Sequence, residues 1–241
     1  MKVVCLLPAR NAAADLPAYF ESVASFADGI VALDDGSTDA TGEMLRSNPL
    51  VLEVLTNPRR ETYAGWDDLG NRMRLMRAAE PFAPDWILWL DADEIVEASD
   101  AAVLRQFLKE EAEPHVAYAL EVLRMVDGME TYDKCAMWRY RLYSFEPGYT
   151  FENSRLHLKL VPLEFPTQAR RRTSFRILHR SSLTEERRVS RYAKYGECDP
   201  DRTWQSSYES LLDPPRNVKR LKSRCAAAPF LLPADEESID A

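Results

Sequence analysis

Residues 86–94 read Trp86-Ile87-Leu88-Trp89-Leu90-Asp91-Ala92-Asp93-Glu94, an apolar run of five followed by two carboxylates one residue apart. The run is β-prone, short and free of Gly and Pro, which fits a strand buried near the middle of a sheet. Side chains two apart on an extended chain point the same way. Asp91 and Asp93 are therefore expected to face one spot just beyond the carboxyl end of that strand, where open α/β sheets bind their ligands. Two carboxylates that close repel each other. A hard divalent cation with oxygen ligands relieves the repulsion and bridges to a diphosphate. The same pair also reads as solvated turn acids, so its meaning depends on its surroundings.

Upstream of this run, strand and helix signals alternate. Val3–Leu7 is a strand stopped by Pro8, and Leu16–Phe26 spaces its apolar residues at helical period. Ile30–Leu33 is a second strand, and Thr38 and Asp39 offer cap chemistry for a helix through Met44 and Leu45. Val51–Leu55 is a third strand and Leu69–Ala79 a basic helix. Such alternation with short links predicts a mostly parallel, doubly wound α/β sheet flanked by helices. Downstream, Ser99 is a natural cap for a helix over Ala101–Glu110. Ala117 to Phe145 turns strand-like and aromatic, and Glu185–Tyr195 reads as a helix. Residues 1–100 and 101–212 are expected to be two halves of the same single domain. Residues 213–241, rich in proline and charge, are expected to be an extended or partly disordered tail.

The 241 residues are enough for one sizeable α/β domain. A hydrophobic content of 46% and a charged content of 29% belong to an ordinary globular protein. The formal net charge of −8 argues against a nucleic-acid partner. Four scattered cysteines without metal-type spacing, one of them in the apolar run at Cys5, point to a reduced, cytoplasmic setting. The apolar run at the N-terminus is too short for a secretory signal, and no stretch approaches the ~18–20 apolar residues of a spanning helix.

Three short motifs end three of the strands: Pro8-Ala9-Arg10-Asn11, Asp34-Asp35-Gly36-Ser37-Thr38-Asp39 and Asp91-Ala92-Asp93. In a doubly wound sheet they converge on one crevice. A carboxylate there accepts an N–H from a nucleotide base, and Gly36 lets the backbone turn sharply or approach a ring. The acids of 34–39 read equally well as a helix cap and tight turn. Together, in this order and spacing, the motifs resemble those of the family 2 glycosyltransferases of GT-A fold. The resemblance is carried by residues 1–100. Gly70-Asn71-Arg72 followed by Ala78-Ala79 is similar to that family's Arg-Asn-x-Gly helix, with the order of Arg and Asn altered. Ala12 stands where many members have an acid.

What the resemblance implies is a metal-dependent, inverting transfer of one sugar from a nucleotide-diphosphate donor, UDP by expectation, to an acceptor hydroxyl. Pro8, Ala9, Asn11, Asp34, Asp35, Arg72, Asp91 and Ala92 would bind the donor, with Asp35 on the base and Asp91 on ribose or, through water, the metal. Asp93 would hold Mn²⁺ or Mg²⁺ directly. His179, in a strand–His–helix segment similar to one in the same group, would complete the metal site, neutral imidazole accepting Mn²⁺ more readily than Mg²⁺. His157 is the weaker alternative, and a structural role is open for either. Leu158 replaces the Glu of the family's His-Glu strand, expected here over Leu156–Leu160. The acceptor's base is then sought among Glu152, Asp127 and Asp133, each also readable as a solvated loop acid.

Basic residues outnumber acidic ones from Arg155 to Arg191. This suits an anionic saccharide or lipid-linked acceptor in cell-surface glycan assembly. Arg170-Arg171-Arg172 is expected in a loop, offering a peripheral membrane contact at the inner face or a solvated basic face paired with Glu185 and Glu186. Two other readings stand beside the transferase. One is a module that keeps the nucleotide pocket without turnover. The other is a haloacid-dehalogenase-type phosphatase, which also uses Asp-x-Asp but on its first strand.

Overall fold

The computed structural model describes residues 1–153 and 158–233, with the backbone alone at 134–136. The strands are β1 (Val3–Ala9), β2 (Gly29–Asp34), β3 (Val51–Thr56), β4 (Trp86–Trp89), β5 (Glu94–Val96), β6 (Ala117–Met125), β7 (Thr131–Ser144), β8 (Arg170–His179) and β9 (Val218–Arg220). The helices are α1 (Leu16–Val23), α2 (Thr41–Ser47), α3 (Asp68–Ala79), α4 (Ala98–Glu110) and α5 (Glu185–Cys198). One sheet runs β3-β2-β1-β4-β7-β6-β8-β5, with β9 added on β7. β3, β2, β1 and β4 are parallel, and β7 joins β4 antiparallel. The α/β architecture expected from the alternation is the one observed.

The apolar runs are continuous because these strands are buried on both faces. Val3, Cys5 and Leu7 of β1 pack with Ile30, Ala32 and Leu88 against α1 and α4. The alternate residues Val4 and Leu6 pack with Val31, Leu33, Ile87 and Trp89 against α3. Trp89 is fully enclosed, and its indole N–H donates to the Tyr143 hydroxyl at 2.7 Å, which satisfies the ring's one polar atom. The chain winds outward from β1 to β2 to β3, then crosses back through α3 to β4 on the other side of β1. The strand order therefore reverses between β1 and β4. That is the switch point where a crevice opens at the carboxyl ends. Pro8 lacks an N–H but sits beyond the last β1–β4 pair, Leu6 with Trp89, so no ladder bond is lost.

Three expectations are corrected. Arg170-Arg171-Arg172 is not a loop: it opens β8 and pairs with Ala117–Ala119 of β6. Alternation directs Arg170 and Arg172 over the rings of Tyr140 and Trp138, at 5.6 and 4.9 Å, so their stems cover apolar surface. One helix cap differs as well. Glu97, not Ser99, caps α4, its carboxylate accepting from the Ser99 N–H at 3.0 Å. At α2, by contrast, the expected cap chemistry is present: the helix begins at Thr41, and Asp39 just ahead of it accepts the Thr41 N–H at 2.9 Å. The strand expected over Leu156–Leu160 falls partly on 154–157, outside the described residues; 158–160 are irregular.

Residues 213–233 lie along the sheet. β9 pairs with β7, Leu231 bridges to Thr173, and Arg224 lies 3.3 Å from Asp100 with its guanidinium against Phe175 and Phe230. The remainder of that expected tail, 234–241, is outside the described residues. No helix among the described residues is long and apolar enough to cross a membrane.

Candidate active site

The ends of β1 and β2 are laced together. The Asp35 N–H donates to the Ala9 carbonyl at 2.8 Å. Asn11 stands in the left-handed region at φ 48°, and its side-chain oxygen accepts from the Thr38 N–H at 2.8 Å. Asp34 accepts the Ser37 N–H at 3.0 Å and so braces the turn. Asp35 is buried and receives the Arg60 guanidinium and the Asn57 amide. Asn57 in turn donates to Asn71 of α3 at 2.9 Å.

Gly36 has φ 71°, and a Cβ there would lie 2.2 Å from the Pro58 carbonyl oxygen. Gly36→Ala is therefore expected to cost about 2 kcal/mol or more. A drop of roughly 4–8 °C in Tm in a thermal melt would follow at this chain length.

β4 stops at Trp89, and residues 91–94 form a turn in which the Glu94 N–H reaches the Asp91 carbonyl at 2.9 Å. Strand alternation no longer applies there, and the two acids find different partners. Asp91 meets Arg72 at 2.8 Å and Arg141 at 3.8 Å. Burial raises its carboxyl, but Arg72 and then Arg141 outweigh that, and it is pushed down to about 2. Arg72, whose phosphate role was expected from the family helix, is buried between Asp68 and Asp91 and lies against the Trp89 ring. Glu94 is 1% exposed and is held by Arg141 at 3.0 Å.

Asp93 takes a separate partner. Its carboxylate is 3.3 Å from His179 Nε2, and its carbonyl accepts the Arg180 N–H at 2.8 Å. The β5–β8 ladder fixes this meeting by placing Glu94 opposite His179. Burial disfavours both charges. His179, followed by Lys194 and Arg191, nevertheless holds the Asp93 carboxyl well below its ordinary range, and Asp93 raises the imidazole. Among the described residues Asp93 has no arginine partner within ion-pair distance, unlike Asp35 and Asp91.

Among the described residues no group of three or more His, Cys, Asp or Glu side chains is arranged to hold a metal by itself. One carboxylate and one imidazole side by side do fit a cation that draws its other ligands from a diphosphate and water, as Mg²⁺ and Mn²⁺ do. Pro8, Ala9 and Ala92 line the same carboxyl-end crevice by position.

The proposed bases lie apart. Asp133 is buried against Arg124, accepts the Asn217 N–H at 3.1 Å and is held below its ordinary range by these partners despite burial. A carboxylate held so low is a weak proton acceptor. Asp127 is exposed in the β6–β7 turn at φ 54°, with its N–H on the Leu183 carbonyl at 3.1 Å. Glu152 is exposed and follows Phe151, which packs edge-on against Trp89 at 6.2 Å. His157 lies outside the described residues.

Sequence reasoning missed Asn57 and Arg60, although they follow the third strand and the same convergence of strand ends points to them. It also missed Arg10, which donates to the Arg60 carbonyl at 2.9 Å and lies 4.3 Å from the centroid of the Tyr63 ring. Arg141 and Lys194 carried no local signal. Lys194 of α5 lies 4.2 Å from the Trp66 ring and 5.4 Å from the Tyr63 ring, and the Tyr63 N–H donates to Glu197 at 2.7 Å. Residues 57–66 thus bridge Asp35 to α5.

Comparison with known proteins places this geometry. Uncharacterized protein Rv3786c of Mycobacterium tuberculosis and Mb3815c of Mycobacterium bovis are each 28% identical over 212 residues, covering 83% of this chain and 51% of theirs. The chain thus spans about half the length of these relatives. Among solved structures, S. aureus TarS 1–349 in complex with UDP-GlcNAc is 14% identical with a TM-score of 0.46, over 88% of this chain and 70% of that one. Glucosyl-3-phosphoglycerate synthase from Mycobacterium tuberculosis, in complex with Mn²⁺, UDP and glucosyl-3-phosphoglycerate, is 19% identical with a TM-score of 0.35, over 53% and 44%. The model of glycosyl transferase family 2 matches residues 5–178, which take in most of β1 through nearly all of β8 with the ends of β1, β2 and β4, and stop one residue before His179. The chain belongs to glycosyl transferase family 2, with the GT-A fold of that family.

Proposed function

We propose that this chain moves one sugar from a nucleotide-diphosphate donor to an acceptor hydroxyl, with inversion at the anomeric carbon and with Mn²⁺ or Mg²⁺ at Asp93 and His179. The observation that carries the reading is the convergence of Asp35, Asp93 and His179 at the switch point, with no arginine within ion-pair distance of Asp93 among the described residues. In this reading Asp35, once Arg60 releases it, accepts from the base, and Asn57 reaches the same edge. Pro8, Ala9 and Ala92 wall the pocket, while Asn11 and Asp34 keep its turn in shape. Asp91 presents its second oxygen to the ribose.

The bound cation would supply positive charge where the departing diphosphate gathers negative charge, which favours the transition state over the ground state. Arg72 supports Asp91 rather than touching phosphate. The acceptor's proton goes to Glu152, an exposed acid next to Phe151, which packs against Trp89. The function belongs to the family match, so the nucleotide pocket without turnover is kept as the failure case. The phosphatase reading has nothing here to favour it, since the acids follow β4 and not the first strand.

The test is calorimetry with UDP and UDP-sugars, with and without Mn²⁺, followed by a donor-hydrolysis assay. Binding that requires the metal together with slow hydrolysis is the expected result. Binding without any turnover would reduce the chain to a nucleotide-sugar-binding module, and no binding would overturn the donor site altogether.

A further inference from the structure

Three cations border the crevice on the side of α5. Lys194 lies against Tyr63 and Trp66, with Nζ 4.2 Å from the Trp66 ring. Arg191, one turn earlier on the same helix, donates to the Ser181 hydroxyl at 3.1 Å. Arg10, just past the end of β1, lies over the Tyr63 ring and donates to the carbonyls of Arg60 and Thr62, and its Nε and Nη1 are enclosed without an acceptor among the described residues. None of the three has a carboxylate partner within ion-pair distance among the described residues. The contrast is with Arg180 and Arg187 at the entry to the same helix, which share Asp15 at 3.0 and 2.8 Å. Asp93, whose carboxylate feels Lys194 and Arg191, is already shared with His179.

Half-buried cations are costly to hold without a counter-charge, and rings supply only part of it. A divalent cation at Asp93 would make the corner more positive still. The donor's diphosphate is spoken for by that cation, so the charge on α5 calls for a second anion.

We propose that Lys194 and Arg191, with Arg10 behind them, form a subsite for a phosphoryl group carried by the acceptor. The proposal rests on the donor reading above and adds the chemical class of the other substrate. A phosphoryl group accepts several charge-assisted hydrogen bonds at once, which a neutral hydroxyl-bearing sugar does not. Recognition beside Asp93 would set the distance between that group and the attacking hydroxyl.

The test is a calorimetric titration of inorganic phosphate into the full chain saturated with UDP and Mg²⁺. Wild type is expected to bind phosphate, and Lys194→Met and Arg191→Met each to weaken it about tenfold, the loss of one charge-assisted contact. The UDP affinity should stay within about twofold, and Lys194→Arg should retain phosphate binding. No phosphate binding to the UDP-loaded protein overturns the proposal. So does an equal loss of UDP and phosphate in the variants, which would assign the cations to the donor's diphosphate. If wild type fails to bind UDP, the donor reading falls, and the same titration on the unliganded protein still decides the anion subsite. Glycerol 3-phosphate and micelle-borne phosphatidic acid, each titrated into wild type and Lys194→Met, then separate the sources. Competition by the first alone marks a soluble phosphorylated acceptor, and competition by the second alone a lipid-borne one.

Discussion

Asp93→Asn is expected to reduce sugar transfer by about a hundred- to a thousandfold, the usual effect of removing one preorganised charge from where the transition state needs it. The reason lies in what each neighbouring acid already does. Asp91 neutralises Arg72, Glu94 neutralises Arg141, and Asp35 neutralises Arg60. Asp93 is the acid whose partner is an imidazole, so a cation arriving there displaces one titratable proton, held more tightly than usual by Asp93, and not a fixed guanidinium charge. Asn is close in shape and keeps a hydrogen-bonding oxygen for His179, so the fold should lose only about 1 kcal/mol. The check pairs a transfer or donor-hydrolysis assay with a calorimetric titration of Mn²⁺ into the UDP-loaded protein. Activity and metal binding should fall together while the Tm drops by no more than roughly 2–4 °C. Full activity in this variant would remove the cation from the mechanism.

The second large effect is on stability. Arg141→Leu strips Glu94 of its cation while Glu94 stays 1% exposed, with the Asp91 N–H, at 2.9 Å, as the hydrogen bond left on it among the described residues. Removing one member of a buried pair leaves an uncompensated charge and costs about 3–5 kcal/mol. For a chain of this length that corresponds to a Tm lower by roughly 6–20 °C. Asp91 also loses its second cation, so the turn at 91–94 should loosen along with the fold. The discriminating step is the double variant. Glu94→Leu added to Arg141→Leu removes the orphaned charge as well and should recover more than half of the loss, because matched apolar groups replace a buried pair at little cost. A single variant melting like wild type would mean that Glu94 is already uncharged or hydrated.

The strands β1, β2 and β4 were legible because each is a short apolar run ending in turn chemistry, and burial on both faces leaves no polar interruption to confuse the period. The candidate residues at their ends stand out for the same reason: Asn11, Asp35 and Asp93 follow closely where a strand stops. What surrounds those acids was not legible. Arg60 lies 25 residues from Asp35 and Arg141 lies 47 from Glu94, and nothing local marks either arginine as a partner. The expectation that Asp91 and Asp93 share one target failed because alternation holds only inside a strand, and β4 ends two residues before the first of them. Arg170-Arg171-Arg172 looked like a loop because three consecutive charges have low strand propensity. Pairing with β6 and the aromatic floor of Trp138 and Tyr140 override that local preference.

The pairing of Glu94 with His179 across β5 and β8 has a further consequence for how this chain tolerates change in length. Removing or adding a single residue within β8 would send the imidazole to the opposite side of the sheet and leave Asp93 facing an apolar neighbour. Surface connections such as the one between α4 and β6 can grow or shrink at small entropic cost. Indels should therefore be rare along residues 170–179 and common elsewhere, whatever the side chains become.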